Sequence, residues 1–240
     1  MTLKAVIFDA GNTLMLVNYG VVVEALGAEG WDVEEAAVRE AEYRARVRLD
    51  QVLARRHSTE APEIFRTYMR FVCEEIDVPW DEAAERALGR IAAYHRVHNL
   101  WDRLNPQAQT VLEMLRDRGL TLGMISNSNG WVERLVMENG LRPYFHFVLD
   151  SRLIGVEKPD PRIFQIALDR LGIDPAEALY IGDLYSIDVV GSRAAGMRAI
   201  LLDPAGLWDH VDCPKARDLS EAADLILKQI GAGLPRPWAG

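Results

Sequence analysis

Near its start the sequence reads Ala5-Val6-Ile7-Phe8-Asp9-Ala10-Gly11-Asn12-Thr13-Leu14, an apolar run that ends in an aspartate and a glycine turn. Such a run is typical of a buried strand, and it places Asp9 at the carboxyl end of that strand. Open α/β sheets bind ligands in the crevice outside these strand ends. Asp9 is therefore a candidate nucleophile or metal ligand, and Gly11 follows it two residues later without a polar side chain.

Apolar runs of strand length alternate with amphipathic stretches, which predicts βα units around a parallel sheet. The predicted strands are residues 3–8, 121–125, 145–149, 178–181 and 199–202. The predicted helices between them are residues 106–118, 131–139, 161–171 and 187–195. We therefore expect an α/β fold with a doubly wound, Rossmann-like parallel sheet.

The segment from 16 to 100 interrupts this alternation. Its pattern predicts about four helices, at residues 19–26, 33–55, 62–76 and 81–96. Because a βα connection is usually only a few residues long, we expect this segment to form a small all-helical cap domain. The expected organisation is a catalytic core of residues 1–15 and 101–230, a cap of residues 16–100, and a loosely held Gly/Pro-rich tail of residues 231–240.

Composition narrows the class of function. The net charge of −9 argues against a broad nucleic-acid surface, which needs a basic patch. No apolar run approaches the ~18 residues of a membrane helix, and the N-terminus shows no signal-peptide pattern. Cys73 and Cys213 are too few for a disulfide scaffold or a thiolate metal site. We expect a cytoplasmic protein that binds neither nucleic acid nor membrane; its oligomeric state is not predicted.

Four short segments with polar side chains fall where the strands of such a sheet end. Their polar residues are Asp9 and Thr13, Ser126 and Asn127, Lys158, and Asp183 with Asp188. A carboxylate can attack phosphorus, carboxylate oxygens suit Mg²⁺, and a hydroxyl and a lysine can bind phosphate oxygens. Each residue alone also fits a turn, a helix cap or a solvated charge. Their order at successive strand ends is what indicates phosphoryl transfer.

These segments resemble the haloacid dehalogenase superfamily of hydrolases, in its branch with a helical cap inserted after the first strand. The resemblance covers about residues 3–227, and its most specific parts are residues 7–14, 157–161, 181–183 with Asp188, and 194–197. It implies a Mg²⁺-dependent hydrolase, a phosphatase acting on a small phosphorylated metabolite. The implied roles are a nucleophile at Asp9; catalytic groups at Ser126 and Lys158; substrate binding by Thr13, Ser126, Asn127 and Lys158; and Mg²⁺ binding by Asp9, the Gly11 carbonyl, Asp183 and Asp188.

Phosphatases of this superfamily usually carry Asp two residues after the nucleophile, where it protonates the leaving group and then activates water. Gly11 can do neither, and general acid–base catalysis typically contributes ~10²–10⁴-fold. We therefore expect either substrates with good leaving groups or a proton donor from the cap. The candidate donors in the cap are His57, His95, His98 and Tyr43. Asn12 can orient a water, but it accepts no proton at neutral pH.

Other functions stay open. A C–halogen hydrolase of the 2-haloacid dehalogenase type also lacks this Asp, but it usually has an aromatic there and Ser/Asn chemistry in place of Gly182-Asp183. A C–P hydrolase needs a cap lysine, and no lysine lies between Lys4 and Lys158. A third alternative is a catalytically decayed binding or regulatory module. The candidate site residues argue against it, because they all remain in place.

The substrate is not predicted by the sequence, because cap residues normally select it. Arginine is the cationic residue of the predicted cap, and its guanidinium can clamp a carboxylate or phosphate bidentately. The candidates are Arg44, Arg46, Arg48, Arg55 and Arg56. A solvated helix face is the alternative interpretation of these arginines.

Overall fold

The computed structural model describes residues 2–56, 59 and 61–231. Its centre is a six-stranded sheet in which every pair of neighbouring strands is parallel. Across the sheet the strands are β5 (Phe147–Asp150), β4 (Thr121–Ser126), β1 (Ala5–Phe8), β6 (Ala178–Gly182), β7 (Arg198–Leu202) and β8 (Lys215–Ala216). The chain order reverses beside β1, which is where doubly wound sheets open a ligand crevice.

Helices cover both faces of this sheet. They are α5 (Ala108–Asp117), α6 (Val132–Glu138), α7 (Ser151–Ile154), α8 (Pro161–Leu171), α9 (Val190–Ala194) and α10 (Leu219–Gly231). Val6 and Phe8 of β1 join the apolar cluster that includes α5, α6 and α10, whereas Ile7 joins the cluster that includes α8. Successive side chains of a strand point to opposite faces, so a strand covered on both sides is apolar throughout.

The predicted parallel α/β sheet is confirmed, and its five predicted strands agree with β1, β4, β5, β6 and β7 within two residues. The strand predicted from residue 145 begins at Phe147, because Arg142–Tyr144 forms a 3-10 turn. No element was predicted after residue 202, whereas β8 and α10 lie there. A two-residue strand is too short to show a period in the sequence.

Among its described residues, the segment from 16 to 100 contains four helices, as predicted: α1 (Tyr19–Gly27), α2 (Glu35–Arg56), α3 (Pro62–Glu75) and α4 (Glu82–His98). They share an apolar cluster to which Val22, Leu53, Val72 and Ile91 belong. We call these four helices and their loops the helical insertion. Its ends lie next to a short antiparallel pair, β2 (Met15–Leu16) with β3 (Arg103–Leu104).

The predicted domain boundaries, at residues 15 and 101, treat the helical insertion as a separate cap domain. This role stays a prediction. Most of the predicted tail (residues 231–240) lies outside the described residues, as does His57, a candidate proton donor. Within the part of the chain that the structure describes, no helix has the length and apolar character needed to cross a membrane.

Candidate active site

The carboxylates predicted for the site lie together at the carboxyl edge of the sheet. Asp9 follows β1 and Asp183 follows β6; the Asp9 N–H donates to the Ile181 carbonyl at 2.8 Å, which continues the pairing of these strands. Asp188 lies one turn further along the chain. Each of the three carboxylates offers an oxygen within 4.8 Å of the others, and all three side chains are buried.

Lys158 joins two of these carboxylates. Its Nζ lies 2.5 Å from Asp9 Oδ1, 2.7 Å from Asp188 Oδ1 and 2.9 Å from the Tyr180 hydroxyl. Burial opposes the charged amine, but Asp188 and Asp9 outweigh it and raise the pKa of Lys158 well above its ordinary value. The lysine is therefore a fixed cation, 2% exposed, beside the candidate nucleophile.

Asp188 also shapes the loop that carries Asp183. Its Oδ2 accepts hydrogen bonds from the N–H groups of Asp183 at 3.1 Å and Leu184 at 3.0 Å. A Cβ on Gly182 would lie 2.4 Å from Asp188 Cγ, so only glycine allows this approach. Both Asp188 oxygens thus accept from N–H donors of the protein.

The helix predicted from residue 187 begins two residues earlier, and its first turn is not α-helical. Tyr185–Val189 forms one π-helical turn before α9. Asp50 of α2 accepts from the Ser186 N–H at 2.8 Å and from its hydroxyl at 2.7 Å. The helical insertion therefore supplies a partner for a backbone donor that the start of a helix leaves free.

Three further predicted residues lie in the segments at the carboxyl ends of β4 and β1. Asn127 Oδ1 accepts from the Lys158 N–H at 2.8 Å, and its Nδ2 donates to the Lys158 carbonyl and to Thr59 Oγ1, each at 2.9 Å. Ser126 ends β4 and is buried. Among the described residues the Thr13 hydroxyl is buried without a hydrogen-bond partner. Asn127 thus holds the backbone of Lys158 in place.

The helical insertion contributes an ion pair that was not predicted as part of the site. Arg46 Nη2 lies 2.5 Å from Glu42 Oε2, and Arg46 Nη1 lies 3.3 Å from Asp183 Oδ2. Glu42 also accepts from the hydroxyls of Tyr68 at 2.6 Å and Tyr19 at 3.1 Å. This network places a cation of α2 against one of the core carboxylates.

Of the five arginines considered as substrate clamps, Arg46 is the one that the described contacts bring to the site. Arg44 and Arg48 pair with Glu74 and Glu75 at the surface. Arg56 pairs with Glu63, and Arg55 is exposed. A signal for Arg46 was present in the sequence, since Glu42, Arg46 and Asp50 recur every four residues on the apolar stripe of α2.

Asn12 contacts Trp101 and two of the carboxylates described above. Asn12 has φ of +51°, a left-handed conformation that asparagine tolerates, and its Oδ1 accepts from Trp101 Nε1 at 3.1 Å. Its Nδ2 lies 3.4 Å from both Glu42 Oε1 and Asp183 Oδ2. The expected freedom of Asn12 to orient a water is therefore limited by these protein partners.

The family model of haloacid dehalogenase-like hydrolases matches residues 3–196. This match covers well over half of the 240 residues. The chain is a haloacid dehalogenase-like hydrolase. The resemblance to this superfamily is thereby confirmed, and so is the assignment to hydrolases, whereas membership of the branch with a helical cap stays a prediction.

Relatives of this hydrolase carry several names. It is 44% identical over 95 residues to haloacid dehalogenase-like hydrolase domain-containing protein 3 of Mus musculus, a match over 40% of this chain and 38% of the relative. It is 38% identical over 122 residues to a phosphoserine phosphatase of Thermus thermophilus, over 50% of this chain and 49% of the relative. The chain therefore spans about half the length, or less, of these curated relatives.

Among solved structures, a 2-haloacid dehalogenase from Pseudomonas syringae pv. Tomato resembles this hydrolase with a TM-score of 0.57 and 29% identity. The similarity covers 95% of this chain and 99% of that one. It therefore includes the core and the helical insertion, and it supports the fold described above.

The predicted donors of the helical insertion make other contacts in this hydrolase. His95 Nδ1 accepts from the Leu100 N–H at 3.0 Å, and burial lowers the pKa of His95. The His98 ring packs 4.9 Å from the Tyr94 ring, and the Tyr43 ring lies 5.5 Å from the Arg46 guanidinium. For the three candidate donors that the structure describes, these contacts are a backbone hydrogen bond and the packing of aromatic rings.

The donor set fits a hard divalent cation. Within the described residues, the ion pairs and the carboxylate cluster of this network comprise four carboxylates and two basic side chains: Asp9, Asp183, Asp188 and Glu42 with Lys158 and Arg46. Burial is the main cause that raises the pKa of Asp9 to about 6 and the pKa of Asp183 well above its ordinary value. Carboxylate oxygens that are short of positive charge suit Mg²⁺.

Proposed function

We propose that this hydrolase is a Mg²⁺-dependent phosphomonoesterase that acts on a small phosphorylated metabolite through an aspartyl-phosphate on Asp9. The observation that carries the proposal is the 2.5 Å contact of Lys158 Nζ with Asp9 Oδ1, made beside the carboxylate of Asp183. A carboxylate nucleophile, a fixed cation and a candidate metal site in one crevice are what phosphoryl transfer requires. The relative named a phosphoserine phosphatase supports the same class.

The first step uses the two Asp9 oxygens differently. Oδ1 accepts from Lys158, which leaves Oδ2 to attack phosphorus while the bond from phosphorus to the leaving oxygen breaks. Lys158 and the Ser126 hydroxyl would bind the phosphoryl oxygens as their charge redistributes. Asp9, the Gly11 carbonyl, Asp183 and Asp188 would hold Mg²⁺, which supplies positive charge to the transferring group. Water then hydrolyses the acyl phosphate, releasing inorganic phosphate and restoring the Asp9 carboxylate.

Glu42 does not replace the missing acid in this scheme. Its two oxygens accept from Arg46, Tyr68 and Tyr19, so the side chain is held as an acceptor. The leaving oxygen would therefore depart as an anion or take its proton from water. Substrates with stable leaving anions, such as aryl phosphates and acyl phosphates, are the expected class.

C–halogen hydrolysis is the second candidate, because a 2-haloacid dehalogenase is similar over nearly the whole chain. In that reaction Asp9 would displace halide from carbon and form an ester with the substrate. The cluster of Asp9, Asp183 and Asp188 argues against it, since displacement of a halide needs no divalent cation. A catalytically decayed binding or regulatory module is the third candidate.

Turnover of p-nitrophenyl phosphate in Mg²⁺, and in EDTA, tests the proposal, because p-nitrophenolate leaves without protonation. We expect Mg²⁺-dependent release that Asp9→Asn abolishes and that the matched surface change Asp117→Asn leaves intact. Release of halide from a 2-haloacid, with no release of phosphate, would favour the dehalogenase. Failure of both reactions together with no Mg²⁺ binding would favour the binding module.

A further inference from the structure

Arg46 is a cation of the chain itself at the candidate metal site. Arg46 as a residue is 4% exposed, and its Nη1 lies 3.3 Å from Asp183 Oδ2. Arg46 lies on α2, whereas Asp183 follows β6, so this contact joins the helical insertion to the core. Burial opposes the charge of Arg46, but Glu42 and Asp183 outweigh it and raise its pKa well above the ordinary value. The guanidinium of an arginine carries its positive charge at any pH near neutrality.

The guanidinium of Arg46 and a bound Mg²⁺ ion would both neutralise the carboxylate of Asp183. Two cations near one buried oxygen repel each other strongly, because little solvent screens them. Arg46 is kept in place by Glu42, with Arg46 Nε at 2.9 Å from Glu42 Oε1 and Nη2 at 2.5 Å from Oε2. The fork of the guanidinium is thus fixed on Glu42, and its remaining nitrogen is directed at Asp183.

We infer that Arg46 is an internal counter-cation that opposes Mg²⁺ binding at Asp183, and that Glu42 limits this opposition by neutralising Arg46. The inference rests on the Mg²⁺ site of the proposed function. It makes α2 of the helical insertion a determinant of metal affinity. By linkage, bound Mg²⁺ weakens the contact between Arg46 and Asp183 by the same free energy.

The two partners of this ion pair have opposite expected effects. Arg46→Met removes a positive charge from the site and should tighten Mg²⁺ binding by about tenfold or more. Glu42→Gln leaves Arg46 without its anionic partner and should weaken Mg²⁺ binding by a similar factor. The double change restores the original net charge, so its Mg²⁺ affinity should lie between those of the single variants. Arg46→Lys keeps the charge and should stay close to wild type.

Calorimetric titration of Mg²⁺ into the metal-free full chain measures these affinities without reference to turnover. Arg44→Met is the matched control, because it removes an arginine of the same helix whose partner, Glu75, lies away from the site. Circular dichroism of each variant shows whether it is folded, and Glu42→Gln remains the test of the charge balance if Arg46→Met is not folded. We expect Arg44→Met to bind Mg²⁺ as wild type does.

The outcomes separate this inference from the proposed function. Opposite shifts for Arg46→Met and Glu42→Gln, or Mg²⁺ binding that appears only in Arg46→Met, support the inference. Unchanged or weaker binding in a folded Arg46→Met variant, or a large change in Arg46→Lys, overturns the inference while Mg²⁺ binding by wild type leaves the proposed function standing. Absence of Mg²⁺ binding in wild type and in every variant overturns both.

Discussion

The indole ring of Trp101 lies against Gly11, and its Cδ1 atom is 3.5 Å from where a Cβ atom on Gly11 would lie. Trp101 Nε1 also donates to Asn12 Oδ1 at 3.1 Å. The Tyr68 ring stacks on the Trp101 ring, with 6.1 Å between the ring centroids. The indole of Trp101 therefore borders the position of a Gly11 side chain, at a distance that still accommodates a Cβ atom.

We predict that Gly11→Asp raises turnover of alkyl phosphates, whose leaving groups need a proton. Its Cβ meets Trp101 at ordinary van der Waals distance, but the carboxylate must compete with the indole for space. The gain should therefore be larger when Gly11→Asp is combined with Trp101→Phe, up to ~10²-fold. The measurement is kcat on an alkyl phosphate and on p-nitrophenyl phosphate. Gly11→Ala with Trp101→Phe is the control, and unchanged or slower turnover by folded Asp variants would contradict the prediction.

Tyr180 is a positioning residue for Lys158 that sequence analysis missed. Its hydroxyl accepts from Lys158 Nζ at 2.9 Å and donates to the Ile125 carbonyl at 3.1 Å. Tyr180→Phe removes both bonds and should lower the free energy of unfolding by about 1–3 kcal/mol. We also expect kcat on p-nitrophenyl phosphate to fall several-fold, because Lys158 loses one of its three acceptors. Tyr185→Phe is the matched control, and a Tyr180→Phe variant with the stability and kcat of wild type would refute this role.

Metal-free protein should become less stable as the pH rises through the titration of Asp9. Burial raises the pKa of Asp9 in the folded state to about 6, from an ordinary value of 3.8. The folded state therefore binds a proton more tightly than the unfolded state, and this contribution is lost between about pH 4 and pH 6. Asp9→Asn avoids the buried charge, so in EDTA at pH 7.5 it should be more stable than wild type by about 1–3 kcal/mol.

Urea unfolding in EDTA at pH 4.5, 6 and 7.5 measures this difference. The advantage of Asp9→Asn should shrink toward the acidic end, whereas Asp117→Asn should show no such trend. An Asp9→Asn variant that is less stable than wild type at pH 7.5 would contradict the expected sign of the difference.

Both cysteines should resist alkylation in the folded protein. Burial raises the pKa of Cys73 to about 12 and the pKa of Cys213 to about 11, and both side chains are buried. The thiolate is the reactive form, and at pH 8 it is scarce at either position. A thiol-reactive dye should therefore label the native protein slowly and label two thiols rapidly in guanidinium chloride. Rapid labelling of either cysteine in the native protein would show that its site opens readily.

The site residues that stand at the ends of the core strands could be predicted from the sequence. Asp9, Ser126 and Asp183 stand at or next to the ends of apolar runs, and parallel strands bring their carboxyl ends to one edge of the sheet. The contributions of Glu42, Arg46, Trp101 and Tyr180 could not be read in the same way. Each contribution depends on how a helix packs on the core or on which face of a strand points to the site. Many different sequences can make such contacts, so no single sequence pattern identifies them.

The sequence by itself determined the parallel sheet, the helical insertion and the haloacid dehalogenase-like strand-end residues, because hydrophobic periods and short motifs are local properties of the chain. Only the tertiary structure decided which residue borders Gly11 and which residue contacts Asp183. Asn12 and Trp101 are 89 residues apart in the sequence, and Arg46 of the helical insertion contacts Asp183, which follows a late strand of the core. Contacts at such separations follow from how α2 packs on the core, which no local pattern specifies. The local sequence thus identifies Asp9 and its neighbours, whereas the charges around them depend on how the helical insertion packs on the core.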